Sequence, residues 1–139
     1  MRTRGEWKDG WYVVPYDVQF NQLDFFGHVN NATFFTLYEV ARTDLWLSLT
    51  GATNPADIGF IVAHAACDFK KQLGMEHIEI VTRFGAIGNS SIEFLSEVRQ
   101  EDGTVAATGR VVTVLFDWER RTKVPIGDDL RQKIAAVMR

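Results

Sequence analysis

Apolar residues fall into two rhythms along the chain. From Trp11 to Phe20 (WYVVPYDVQF), aromatic and β-branched residues predominate, which predicts a strand that Pro15 marks as an edge or a bulge. Phe34, Leu37, Tyr38, Ala41, Leu45 and Leu49 then recur at i, i+3, i+4 spacing, predicting a long helix stopped by Gly51 and Asn54-Pro55. Nearly everything after the helix alternates. Ile58 to Phe69 sets Ile61, Ala63, Ala65, Cys67 and Phe69 on one face and Phe60, Val62, His64 and Ala66 on the other, so both faces are expected to be buried. Ile78 to Ile87 alternates Ile78, Ile80, Thr82 and Phe84 against Glu79, Val81 and Arg83. A Gly88-Asn89-Ser90 turn leads to a strand over Ser91–Arg99, in which Ile92, Phe94 and Val98 share a face. The hairpin signal Glu101-Asp102-Gly103 precedes a last strand from Val105 to Trp118. Leu130, Ile134 and Val137 return to helical spacing within Asp128 to Met138, a short surface helix.

The order is strand, long helix, four antiparallel strands and terminal helix. A helix wrapped by one curved antiparallel sheet of five strands satisfies it, in the α+β class. Phe34, Phe35, Trp46 and Leu47 add large apolar groups to the helix, so it is expected to be covered on most sides. No repeat, linker or low-complexity stretch divides residues 1–139, so one domain is expected.

Composition narrows the function classes. At 46% hydrophobic and 24% charged residues the chain is of ordinary globular type, and a net charge of −3 gives no support for a nucleic-acid partner. A single cysteine, Cys67, excludes an internal disulfide and a cysteine-rich metal site, and Cys67 itself reads as a core residue. His28, His64 and His77 are scattered without matching acids, so no metal is expected. The opening MRTRGEWKDGW lacks the apolar core of a signal peptide, and no apolar run has the length of a membrane span. A soluble, cytoplasmic protein without a membrane partner is the expectation. Neither a Walker-type loop nor a dinucleotide fingerprint occurs.

The chemistry concentrates in Leu23 to Phe35, LDFFGHVNNATFF. Asn30 or Asn31 is a suitable N-cap for the long helix, with Ala32 and Thr33 in its first turn. The first backbone N–H groups of a helix lack internal partners and carry partial positive charge, so such an end can hold an anion or a forming oxyanion. Asp24 lies upstream across Gly27, near enough for a turn to bring its carboxylate back towards that end. A carboxylate facing an oxyanion site suits attack on a carbonyl, directly or through an activated water. The plainer reading stands beside it: an acid near a helix start is usually a cap or dipole partner, and GHVNN is ordinary loop chemistry.

Phe20 to Arg42, FNQLDFFGHVNNATFFTLYEVAR, resembles the signature of hot-dog-fold acyl-CoA thioesterases of the 4-hydroxybenzoyl-CoA thioesterase type. In that family F-x-D-x-D-x-x-G-H-V-N-N precedes aromatic residues and E-x-A-R on a central helix. IVAHAACDFKK, GNSSIEFLSEV, DGTVAATGRVVTVLFD and PIGDDLR extend the likeness through most of the chain. The resemblance implies hydrolysis of an acyl-CoA or acyl-carrier-protein thioester, with coenzyme A as part of the substrate and no separate cofactor. It makes Asp24 the catalytic carboxylate, as nucleophile or general base, and Asn31 the residue whose backbone N–H meets the thioester oxygen. Gly27 would allow close approach of the thioester and His28 would orient the loop. Some relatives carry histidine at the Asn31 position, so a histidine acid/base role there does not carry over.

Further expectations follow from the same likeness. Phe25, Phe26, Phe34 and Phe35 would line or support the acyl pocket, with Asn30 beside the substrate. Glu39 would lie near that pocket, or else simply pair with Arg42 one turn on. Lys70, Lys71, Arg83, Arg99 and Arg110 are candidates for the coenzyme A phosphates and adenine, and Ser90 and Ser91 for donors to its pantetheine or a phosphate. His64 is expected in the core or at a subunit contact. The family assembles as homodimers with sites between subunits, often paired further into tetramers, and exposed sheet edges suit this. Three departures stand out: Gln22 replaces the first acid, Lys71-Gln72 stands where relatives show arginine-proline, and Gly74-Met75-Glu76-His77 replaces an acidic turn. The loss of an acid at Gln22 keeps a second reading open, an acyl-CoA-binding or sensing domain without turnover. A hydratase or dehydratase would want a histidine paired with the acid, and no such pair occurs.

Overall fold

The computed structural model describes residues 3–52 and 59–138. The chain opens with a hairpin that the apolar rhythm does not reveal. Strand β1 (Glu6–Lys8) turns into β2 (Trp11–Asp17) through Asp9-Gly10, whose φ angles of 53° and 82° are the left-handed pair that a two-residue hairpin turn requires. Strand β2 ends at Asp17, short of the expected Phe20, because Phe20–Gln22 winds into a 3₁₀ turn. Pro15 sits beyond the reach of β1, where β2 is the edge of the sheet, as its missing N–H demands.

Helix α1 (Thr33–Thr50) follows, and Gly51 ends it as expected: at φ 71° its N–H donates to Leu47 O at 2.9 Å. Asn54-Pro55, the other expected stop, and Ile58, the expected start of the next strand, lie outside the described residues. Strands β3 (Phe60–Phe69), β4 (His77–Ile87), β5 (Ser91–Gln100), β6 (Val105–Asp117) and the two-residue β7 (Thr122–Lys123) complete the sheet, and α2 (Asp128–Val137) closes the chain. All pairs are antiparallel, in the order β1-β2-β4-β5-β6-β3 with β7 also on β6. The sheet therefore has seven strands rather than five. The two extra strands are too short for an alternating pattern to register.

One face of the sheet packs against α1. Ile78, Ile80 and Phe84 of β4, Ile92, Phe94 and Val98 of β5, and Tyr12 and Val14 of β2 form a single core with Leu37, Tyr38, Ala41 and Leu45 of the helix. Its buried serine and threonine hydroxyls are satisfied: Ser96 Oγ donates to Thr82 Oγ1 (2.9 Å), Thr82 Oγ1 to Leu95 O (3.2 Å) and Thr113 Oγ1 to Ile92 O (3.0 Å). The helix is not covered all round, since Phe35 is 38% exposed. No helix among the described residues is long and apolar enough to cross a membrane.

Strand β3 departs most from its expectation. Its residues from Val62 to Ala66 are exposed, His64 included, although both faces were expected to be buried. The physical reason is its place: β3 bonds only to β6, so it is the outer edge of the sheet. Cys67 is partly buried and packs against the core, with its Sγ 3.5 Å from Tyr38 Oη.

Helix and sheet approach closely at Gly109. A Cβ there would lie 2.3 Å from the Tyr38 ring, which is fully buried. Gly109→Ala is expected to lower stability by ~1–3 kcal/mol, the usual cost of overpacking. Denaturant unfolding of the purified variant measures it, and an unchanged midpoint would mean that the helix shifts freely on the sheet.

Candidate active site

Asp24 sits in a loop that its own side chain organises. Its Oδ1 accepts the N–H groups of Phe26 (2.9 Å) and His28 (3.2 Å), while its backbone N–H donates to His28 O (2.7 Å). Gly27, at φ 80°, supplies the left-handed residue that lets the turn close, and its N–H reaches Asp24 O at 3.1 Å. The turn is pinned from outside as well. Leu23 bridges Val29, Val29 N–H donates to Leu73 O (2.8 Å) and Asn30 N–H donates to Gln22 O (3.0 Å). Oδ2 of Asp24 has no donor among the described residues, and the residue is exposed. One carboxylate oxygen thus holds the loop, and the other makes no hydrogen bond among the described residues.

Gln22, which stands where relatives carry an acid, is part of the same scaffold. Its Oε1 accepts Gln19 N–H at 2.8 Å and its Nε2 donates to Tyr16 Oη at 2.8 Å. An amide can serve both neighbours, accepting from one and donating to the other.

Neither expected asparagine is the N-cap of α1: that position is Ala32, which has no side-chain cap, and Asn30 Oδ1 accepts its N–H at 3.0 Å from the turn before the helix. Thr33 N–H and Phe34 N–H turn back to Asn30 O (2.9 Å) and Asn31 O (3.3 Å). This leaves the N–H of Asn31 without an acceptor among the described residues. Asn31 lines a cleft of about 170 Å³ together with Val29, Phe34, Phe69, Lys70, Lys71 and Gln72. Phe34 and Phe69 meet edge to face there, with centroids 5.3 Å apart. A helix N-terminus, a free N–H and two lysines make this an electropositive place, fit for an oxyanion or a phosphate. Its volume is below that of a pocket for a whole drug-sized ligand, so it can take a thioester and its neighbours but not an entire acyl-CoA.

The other candidate residues are dispersed. Phe25 and Phe26 pack edge to face on each other and are 98% and 79% exposed. Ser90 and Ser91 border a separate cleft with Asn89, Val114 and Lys123. Phe35 and Glu39 share a third cleft with Arg42, Val62, Ala65 and Val111. The Arg83 guanidinium lies 4.5 Å from the Trp11 ring centre, and that of Arg99 5.2 Å from it, with Arg99 bonded also to Glu97. Arg110 pairs with Glu93. Three cleft residues, Val29, Phe69 and Gln72, escape sequence reasoning, because Phe69 and Gln72 come from the end of β3 and nothing local ties them to Asn31. Arg42 was misjudged in another way: it is buried and makes no ion pair with Glu39. Burial lowers its pKa from the ordinary guanidinium value, with Glu39 opposing the shift.

Comparison with known proteins agrees with this architecture. The chain is 28% identical over 131 residues to the uncharacterized protein YsmA of Bacillus subtilis, covering 93% of this chain and 89% of that one. A protein of Bacillus stearothermophilus described as a predicted thioesterase has a structure that superposes with a TM-score of 0.85 at 25% identity, over 93% of this chain and 97% of that one. A thioesterase from Thermus thermophilus, solved with coenzyme A and zinc, superposes with a TM-score of 0.83 at 27% identity, over 94% of this chain and 97% of that one. The profile of the thioesterase-like superfamily matches residues 18–134. On that match over most of its length, the chain belongs to the thioesterase-like superfamily.

Proposed function

We propose that this protein is an acyl-CoA thioesterase, cleaving an acyl-CoA or acyl-carrier-protein thioester to the free acid and thiol. The observation that carries the reading is the unpaired Asn31 N–H just before α1, in a cleft with Lys70 and Lys71 that is walled by Val29, the residue following the loop that Asp24 organises. The thioester oxygen would accept from Asn31 N–H, and the negative charge that develops on it in the tetrahedral intermediate would be met by the helix end. Asp24 Oδ2 would add to the carbonyl carbon itself or take a proton from the attacking water. Phe34 and Phe69 would wall the first part of the acyl group, and the lysines would face coenzyme A phosphates. The coenzyme A bound to the Thermus thermophilus relative supports that choice of thiol. No dissociable cofactor enters this scheme.

A homodimer accompanies the reading. Strand β3 is ten residues long, forms the outer edge of the sheet, and exposes apolar residues without a lysine or proline to guard it. Such an edge invites a second strand.

A thiol-release assay over acyl-CoAs of graded length, with one aromatic acyl-CoA and one acyl-carrier-protein thioester, tests the activity. Turnover of at least one member well above the spontaneous rate is expected. The competing reading, acyl-CoA binding without turnover, draws on Asp24 Oδ1 being committed to its loop. Saturable binding with no free thiol from any member would establish that reading instead.

A further inference from the structure

Along α1, Phe35, Glu39 and Arg42 face the free side of β3 and, with Val62, Ala65 and Val111, enclose a cleft of about 120 Å³. Arg42 is only 5% exposed, yet its guanidinium has no acceptor among the described residues, and its Nε is sealed from solvent without a partner. Glu39 borders the same cleft one helical turn away but is exposed and makes no ion pair among the described residues. A guanidinium held among apolar groups without an acceptor is costly, which favours an acceptor supplied from outside the described residues.

Two sources of that acceptor differ in their fit. An anionic ligand group entering the cleft would meet Arg42 but also the carboxylate of Glu39. A second copy of the chain brings an arginine for that carboxylate as well as a carboxylate for Arg42. Antiparallel pairing of two β3 edges places a two-fold axis between the paired strands, and the cleft that β3 borders offers matched positions on helix and strand, Glu39 with Arg42 and Val62 with Ala65. Such an axis carries each residue onto the same residue of the other copy, so an axis passing between positions 39 and 42 sets each Glu39 beside the other copy's Arg42. We propose that Glu39 of each protomer pairs with Arg42 of the other across the dimer axis, so that the cleft between α1 and β3 is closed by a second copy of this chain. The pairing rests on the homodimer reading above and adds to it the charges that fix its register.

Sedimentation velocity over a dilution series tests this with Glu39→Arg, Arg42→Glu and their equimolar mixture. Wild-type protein is expected to be a dimer. Either variant alone sets like charges opposite each other twice per dimer, and its dissociation constant should rise by at least ~100-fold. Mixing them should restore a tight dimer, because one protomer then carries arginine at positions 39 and 42 and the other carries glutamate at both. An intrachain role for Arg42 cannot produce that rescue. If Arg42→Glu does not fold alone, co-expression of the two variants with different tags gives the same readout, recovery of a mixed dimer. A wild-type monomer would overturn the homodimer reading and this pairing with it. A wild-type dimer whose variants associate with unchanged affinity, or whose mixture is no tighter than either alone, would overturn the pairing only. Unchanged association with an altered KM for acyl-CoA would instead assign Arg42 to a ligand.

Discussion

Replacing Asp24 with asparagine is expected to lower kcat for acyl-CoA hydrolysis by ~10²–10⁴-fold, the range for loss of a positioned acid or base. The substitution separates the two uses of this carboxylate. An asparagine Oδ1 can still accept from Phe26 and His28, so the loop keeps both backbone contacts that Oδ1 now makes. What disappears is the charge and basicity of Oδ2, replaced by an amide nitrogen that neither attacks a carbonyl nor takes a proton from water. Substrate binding should therefore change little while turnover collapses, the pattern of an interaction made only in the transition state. Asp24→Ala removes both functions and should also loosen the loop, which a lower Tm would register. Steady-state kinetics of the two variants, with circular dichroism to confirm folding, decide the matter. Wild-type turnover in the asparagine variant would leave Asp24 as a loop residue and nothing more.

That division of labour within one side chain was out of reach of sequence reading. The acid, the glycine and the asparagine before the helix were legible, because each is a local choice with a local cause: Asn30 Oδ1 holds Ala32 N–H ahead of the helix and Gly27 takes the left-handed turn. Which oxygen of Asp24 is occupied depends on how the turn closes, and that is set by Leu73 and Gln22 gripping it from outside. Gln22 shows the same limit. In the sequence it reads as a lost charge, and in the structure its amide joins Gln19 to Tyr16.

For the fold, the strands with one buried face were read well. Strand β4 alternates because Ile78, Ile80 and Phe84 meet the helix layer while Glu79 and Arg83 do not. Strand β3 misled for a physical reason. Apolar residues on both faces report that a strand is to be shielded, not by what, and here its free side is left open by the single chain. The buried Arg42 beside it carries the same message in charge rather than in area. Both features are ones that the proposed homodimer would cover.

The second large effect concerns the backbone rather than a side chain. Asn31→Pro is expected to lower kcat by ~10²–10³-fold, equivalent to ~2.7–4 kcal/mol of lost transition-state stabilisation, the usual consequence of deleting one oxyanion donor. Proline is the only residue that removes a backbone N–H, and the Asn31 N–H is the one at this helix start that has no acceptor among the described residues. The position should tolerate the change. It lies two residues ahead of Thr33, where α1 begins, so its N–H takes no part in the helical hydrogen bonds. Asn31→Ala is the matching control, since it discards the side-chain amide and keeps the N–H. If the amide side chain were the contributor, the alanine variant would fall and the proline variant would fall no further. If the N–H is the contributor, alanine should retain most of the wild-type kcat while proline loses it, with similar Tm values for the two. Because Asp24 is untouched in both, a loss confined to proline would locate the oxyanion site at the start of α1 independently of whether the carboxylate acts as nucleophile or as base.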